Sequence, residues 1–366
     1  MKVHNRTLLI FLFALITQFC STTWAWGGRG HAAICEAAVH LVKSPNLKEF
    51  LMSKPHVMGH LCNTPDIYWK SLTSEIRKSG DPGHYINAEK IGLKLSELPV
   101  DYNKIIADYT GKPNKQNEAL TLYSIPDELG SSWWRADQFY RRAVIAGKDL
   151  KNLPEPKGFK EEQDNDLPFN KAFYEMGVNL GLMGHFVGDN SQPFHNTSDH
   201  DGYAANQGGI HSYYEDAVVS QFGPDLVAQI VKKAKTWKTQ PFTQKKSVIE
   251  NMQALSVISV SEVKEVLKAD PIIKNSVVKI EKGMSLKTPA ERKSAAEGFK
   301  RMNKIIVKQM ARSSFLLAYL WDEAFAEVGR PKISSYKSYL YPYSVDFVKP
   351  DYYAEPQKEL PKEVQK

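Results

Sequence analysis

The chain has 366 residues, 42% of them hydrophobic and 24% charged, with a formal net charge of +7. That length is ample for one large core or two smaller ones. Past the first residues no run is long and apolar enough to cross a bilayer, which excludes a helix-spanned membrane protein. The positive excess is too small to single out nucleic acid or an anionic membrane as partner.

Lys2 and Arg6 precede an apolar run from Leu8 to Phe19, and Thr23-Trp24-Ala25 offers small residues where a signal peptidase reads. This order predicts a cleaved secretory signal over residues 1–25 and an exported product, periplasmic or secreted, that begins at Trp26. Phe19 stands before Cys20, so the small residue that a lipid-attachment signal needs there is absent. Removing Lys2 and Arg6 lowers the charge to +5. Two cysteines remain, Cys35 and Cys62; in an oxidising compartment they either form one bridge or stay as two buried thiols.

The rest reads as all-α, a multi-helix bundle over residues 26–329. Residues 31–43 are alanine-rich with apolar positions at helical spacing. Residues 134–147 show the same pattern and end on a glycine stop. Charged, proline-containing residues 150–168 predict a surface loop. A helix follows over 173–189, with Gly177, Gly181, Gly184 and Gly188 along one stripe. Each glycine costs about 1 kcal/mol in a helix interior, so four in register predict a neighbouring helix packed very close. Residues 211–222, 225–238 and 290–328 are expected to be helical as well. Strand-like alternation is scarce and no repeat is present. Residues 330–366, rich in proline and tyrosine, predict an extended arm laid over the domain.

Chemistry concentrates in "HFVGDNSQPFH", residues 185–195. His185 and Asp189 are four apart on a helix and leave from the same face. The helix should stop near Asn190 to Pro193, with His195 just beyond. "HSYYED" repeats the spacing with His211 and Glu215. Asp66 and His84 both sit beside turn formers, and His31 lies close after Trp26. Imidazoles and carboxylates from such pairs are a compact way to hold zinc. Each pair alone is a common accident, but five of the nine histidines after residue 25 fall in these segments. His40, His56, His60 and His200 are left as surface or structural residues.

The order Trp26, His31, Asp66, His84, His185, Asp189, His195, His211, Glu215 resembles the superfamily of bacterial zinc-dependent phospholipases C and single-strand-specific zinc nucleases of moulds and plants. The likeness spans roughly residues 26–325, although residues 90–170 carry no ligand signal. It implies three zinc ions. The free amine and carbonyl of Trp26 would bind one ion with His31 and Asp189. Asp66, His84, His185 and a bridging Asp189 would bind the second, and His195, His211 and Glu215 the third. The paired ions, about 3.5–4 Å apart, would turn a shared water into hydroxide for in-line attack on phosphorus. Asp189 and Glu215 would act through the ions, and Asp66, at the rim of the site, would manage the water's proton or serve only as a ligand.

Two substrates fit such a site. Glu215 in the third set and "IHSYYEDAV" look like the phospholipase branch, which implies a phospholipid surface as partner. "HYINAE" looks more like the nucleases, in which an aromatic and an acid after this histidine stack and read a base. Here those positions are Tyr85 and Asn87, so the stacker is present and the reading carboxylate is not. Tyr68, Trp69, Trp133 and Trp134 could serve as further platforms for single-stranded nucleic acid, but most of them read better as core residues. Tyr68, Tyr85 and Asn87 are the expected substrate contacts. A non-catalytic exported zinc protein is the remaining alternative, but structural zinc usually has four protein ligands. The third set offers three, which favours an enzyme, and phospholipase C is the preferred expectation.

Overall fold

The computed structural model describes residues 26–281, 284–333, 342 and 344–354, and helices dominate it. The expected signal, residues 1–25, lies outside the described residues. Among those described, no helix is long and apolar enough to cross a membrane.

Seven helices position the site: α1 (Gly27–Leu41), α2 (Pro55–Ile67), α3 (Ser132–Gly147), α4 (Pro168–Ser191), α5 (Leu226–Ala234), α6 (Val248–Ser261) and α7 (Ala295–Glu327). α4 lies against α1, α2, α3 and α7, and α1 also packs on α2 and α7. One apolar cluster gathers Phe139, Phe173, Phe186 and Trp321. A second gathers Trp26, Phe194, Tyr214 and Met310. α1 contributes to both.

Three of the four stripe glycines allow the expected close approach. A Cβ on Gly184 would sit 2.3 Å from Cys35 Sγ and 3.0 Å from Leu317 Cδ2. One on Gly181 would meet Leu61 at 2.5 Å, and one on Gly188 would meet the His31 ring at 2.8 Å. Gly177 faces open space, so its place on the stripe has no packing reason. Gly184→Ala is therefore expected to destabilise the fold by about 1–3 kcal/mol through overpacking. Gly177→Ala should be neutral or stabilising, and denaturant midpoints of the two variants check the contrast.

Cys35 on α1 and Cys62 on α2 are joined as a disulfide beside this contact, which resolves the two alternatives in favour of a bridge. The observed helices are longer or shorter than expected by a few residues, with two larger departures. Residues 211–222 are not one α-helix: a turn at Ile210–Ser212 leads into a wide π-type turn over Tyr213–Val218 and a 3₁₀ turn at Val219–Gln221. The expected helix over 290–328 begins only at Ala295, because residues 291–292 form a short strand paired with 272–274. Residues 150–168 include one short helix, Gly158–Glu162.

Residues 344–354 lie across the body. Trp69 Nε1 donates to Val345 O at 2.7 Å, Gln138 Nε2 donates to Lys349 O at 2.6 Å, and Arg135 donates to Val348 O. Phe347 meets Trp69 edge to face.

Candidate metal centre

Each candidate ligand is delivered by a separate local device. Trp26 adopts a left-handed backbone, φ 54°, and starts α1, which carries His31 inward. Asp66 follows Pro65 near the end of α2. A 3₁₀ turn, Asp81–His84, presents His84. α4 supplies His185 and Asp189 one turn apart and ends at Ser191. The 3₁₀ turn Pro193–Asn196 then brings His195 back, capped by the Gln192 side chain. The π-type turn sets Glu215 Oε2 2.9 Å from His211 Nε2. Such turns are rare and frequently mark functional sites.

These side chains assemble into three buried groups that could each hold a metal ion: His31, His185 and Asp189; Asp66, His84 and His185; His195, His211 and Glu215. Within each group the ligand atoms lie within 4.8 Å of one another. Asp189 touches two groups. Its Oδ1 is 3.2 Å from His31 Nε2, while Oδ2 is 2.9 Å from His84 Nδ1 and 3.3 Å from His185 Nε2.

Backbone carbonyls fix the rings. His185 Nδ1 lies 2.7 Å from Cys62 O, His195 Nδ1 2.5 Å from His84 O, and His211 Nδ1 2.8 Å from His200 O. A carbonyl only accepts, so each Nδ1 carries its proton, and in the neutral ring each Nε2 turns a lone pair inward. His195 Nε2 and His211 Nε2 then face each other at 3.1 Å, and His185 Nε2 faces His84 Nδ1 at 3.0 Å. With both rings neutral, the facing lone pairs of His195 and His211 repel unless a proton or a metal cation sits between them, whereas His185 Nε2 either accepts from a protonated His84 Nδ1 or shares a cation with it.

The charges make the same demand. Asp66, Asp189 and Glu215 are buried together, and Lys70 places an ammonium 2.5 Å from Asp66 Oδ1. Asp66 Oδ2 and Glu215 Oε1 are buried and accept no hydrogen bond among the described residues. Burial holds Asp189 well above the usual carboxylate range, with His195 working against it and Asp66 with it. Burial likewise drives His84 and His185 well below the usual imidazole range. At His211 burial is outweighed by the Glu215 carboxylate, and its pKa rises to about 8. Buried carboxylates without enough positive charge are costly, and bound cations satisfy both requirements at once.

A cleft of about 500 Å³ opens over this cluster, walled by Lys70, Arg77, Tyr85, Asn87, Lys90 and His200 among others, with His84, His195 and His211 in its lining. Tyr85 and Asn87 thus stand at the cleft as expected. Tyr85 donates its hydroxyl to Asp127 O at 2.8 Å, and Asn87 Nδ2 donates to Glu128 O at 3.2 Å. Tyr68 does not line the cleft; it packs against the main core. Trp69, Trp133 and Trp134 are also buried in that core, which removes them as platforms for bases.

Three further differences concern the site itself. Asp66 is not at the rim: it is 3% exposed, and Lys70, one helical turn on, stands at the cleft instead. The Trp26 nitrogen lies 3.2 Å from Glu215 Oε2, toward the third group, and the Trp26 carbonyl accepts from Gly30 N–H at 2.9 Å. His200, set aside as structural, contributes both a wall of the cleft and the carbonyl that orients His211. Lys70 and Gln192, whose Nε2 donates to Glu215 Oε2 at 3.0 Å, were not singled out from sequence. For Lys70 the signal was there, as Asp66-x-x-x-Lys70. Compared with known protein families and with curated proteins, the chain matches none.

Proposed function

We propose that this protein is an exported zinc-dependent phosphodiester hydrolase, a phospholipase C that separates a phosphorylated headgroup from diacylglycerol. The observation that carries this reading is the convergence of ring nitrogens and three buried carboxylates beneath an open cleft that His84, His195 and His211 line. Mixed imidazole and carboxylate ligands suit zinc. Zinc, when bound, supplies Lewis acidity that yields a strong nucleophile from water near neutral pH and neutralises charge on a phosphate. Asp189 holds two of the groups together, and Glu215, steadied by Gln192, completes the third. Lys70 fixes Asp66 at the cleft, and Arg77 adds positive charge at the wall, while Lys90 there is paired with Glu128 at 2.8 Å. The Cys35–Cys62 bridge agrees with an oxidising, extracytoplasmic compartment.

Lipid is favoured over nucleic acid by Glu215 and by Asn87, which presents an amide already committed to Glu128 where a base-reading acid would be needed. Tyr85 at the cleft supports the second reading, a single-strand-specific nuclease on the same metals.

Protein processed to Trp26 and purified without chelator should hold three equivalents of zinc and hydrolyse a soluble chromogenic phosphodiester. Chelation should abolish turnover, and zinc should restore it. Fewer than three equivalents with full activity, or three equivalents with no activity, would refute the assignment. One residue added ahead of Trp26 should lower both zinc content and turnover. The Trp26 nitrogen is buried against Glu215, and an acylated nitrogen there is a neutral amide with no lone pair to give a cation. An extended chain with unchanged zinc content would remove Trp26 from the site.

A further inference from the structure

Six of the fourteen large apolar side chains that stand exposed among the described residues fall between 273 and 286. Most lie on one antiparallel ribbon, β1 (Val277–Glu281) paired with β2 (Met284–Thr288). Val278 pairs with Lys287 and Ile280 with Ser285, so these four share one face. Val277, Met284 and Leu286 lie on the other. Every residue of both strands is exposed, and among their large apolar side chains Ile280, at 71%, and Met284, at 62%, are the most so.

A lone two-stranded ribbon in water is marginal, and this one leaves aliphatic side chains wet on both faces. A protein partner laid against it covers one face. The interfacial layer of a bilayer covers both at once and takes lysines at headgroup level, where their stems lie along apolar surface. Lys274, Lys279 and Lys287 are placed for that, against Glu281 as the acid of the two strands.

The ribbon is mounted on the cleft. At its base Ser276 N donates to Asn206 O at 3.0 Å and Ala290 N donates to Gly208 O at 2.9 Å. Arg292, paired with Asp270 at 2.9 Å, also donates to Gly208 O and Gln207 O. The Lys287 ammonium lies 4.8 Å from the centre of the Tyr203 ring. The loop so gripped runs from His200, a wall of the cleft, to His211, a metal ligand.

We propose that this ribbon docks the protein on an anionic bilayer by inserting its Ile280 and Met284 end at the headgroup–acyl boundary. For what the docking serves, this rests on the lipid reading above. The experiment is cosedimentation of the processed protein, in the cold, with vesicles of phosphatidylcholine alone and of phosphatidylcholine mixed with phosphatidylglycerol. Turnover of the soluble chromogenic phosphodiester is measured in parallel. The wild type should bind the mixed vesicles more strongly. Ile280→Asp and Met284→Asp should each weaken binding about tenfold or more. Lys274→Gln and Lys279→Gln should each weaken it about fivefold, on the anionic vesicles alone. Turnover of the soluble substrate should stay at the wild-type rate in all four. If an aspartate variant lowers the melting temperature, the two lysine variants decide. A wild type that ignores both vesicles, or variants that sediment as the wild type does, overturns the proposal. Binding that depends on the ribbon without lipid cleavage supports the docking while refuting the phospholipase reading.

Discussion

Asp189→Asn is expected to remove two of the three metal equivalents and to lower phosphodiester turnover by on the order of 10³-fold or more. The reason is position. Asp189 Oδ1 faces His31 and Oδ2 faces His84 and His185, so one carboxylate serves two groups on one turn of α4. Asparagine keeps the shape but offers a neutral oxygen and an amide that donates, and two cations sharing it lose both charge and a ligand atom. The helices should persist, since α4 is held by Phe173, Met176, Met183 and Phe186 in the main core. Far-ultraviolet circular dichroism with metal analysis separates this outcome from unfolding. Three retained equivalents would show that Asp189 is not shared.

Glu215→Gln should act locally, losing one metal equivalent and reducing turnover by about 10²–10³-fold. Glu215 belongs to the third group alone, and its Oε2 gathers His211, the Trp26 nitrogen and Gln192 Nε2, while Oε1 accepts no hydrogen bond among the described residues. That oxygen is the one a metal would take. Glutamine keeps an acceptor for the Trp26 nitrogen yet has no charge to hold a cation between His195 and His211. The first two groups are untouched, so two equivalents should remain. Full activity in this variant would remove Glu215 from the mechanism.

The paired members of the three candidate groups were legible because they obey local rules, while His31, Asp66 and His84 joined them only through the resemblance. His185 with Asp189, and His211 with Glu215, are one helical turn apart, and imidazole beside carboxylate is uncommon enough to stand out when repeated. The all-α class was legible from apolar spacing, most clearly in α1, α4 and α7. What stayed hidden depended on long-range geometry. The π-type turn at Tyr213–Val218 has the same apolar spacing as an α-helix, so only the structure reveals it. The burial of Asp66 under Lys70 follows from where α2 ends against the rest of the bundle. α6 drew no notice because its apolar residues run nearly all round, leaving no stripe, although it buries Met252 and Leu255. The ribbon at 277–288 escaped because lysines interrupt its strands and both faces are wet.

The decisive measurement places zinc-loaded, correctly processed protein on two substrates side by side: phosphatidylcholine vesicles, scored for diacylglycerol and phosphocholine, and single-stranded DNA, scored for nucleotides. Release of diacylglycerol that a chelator abolishes is the result expected here. Release of nucleotides with the lipid intact would contradict it and make Tyr85, in the wall of the cleft, the residue that marks the substrate.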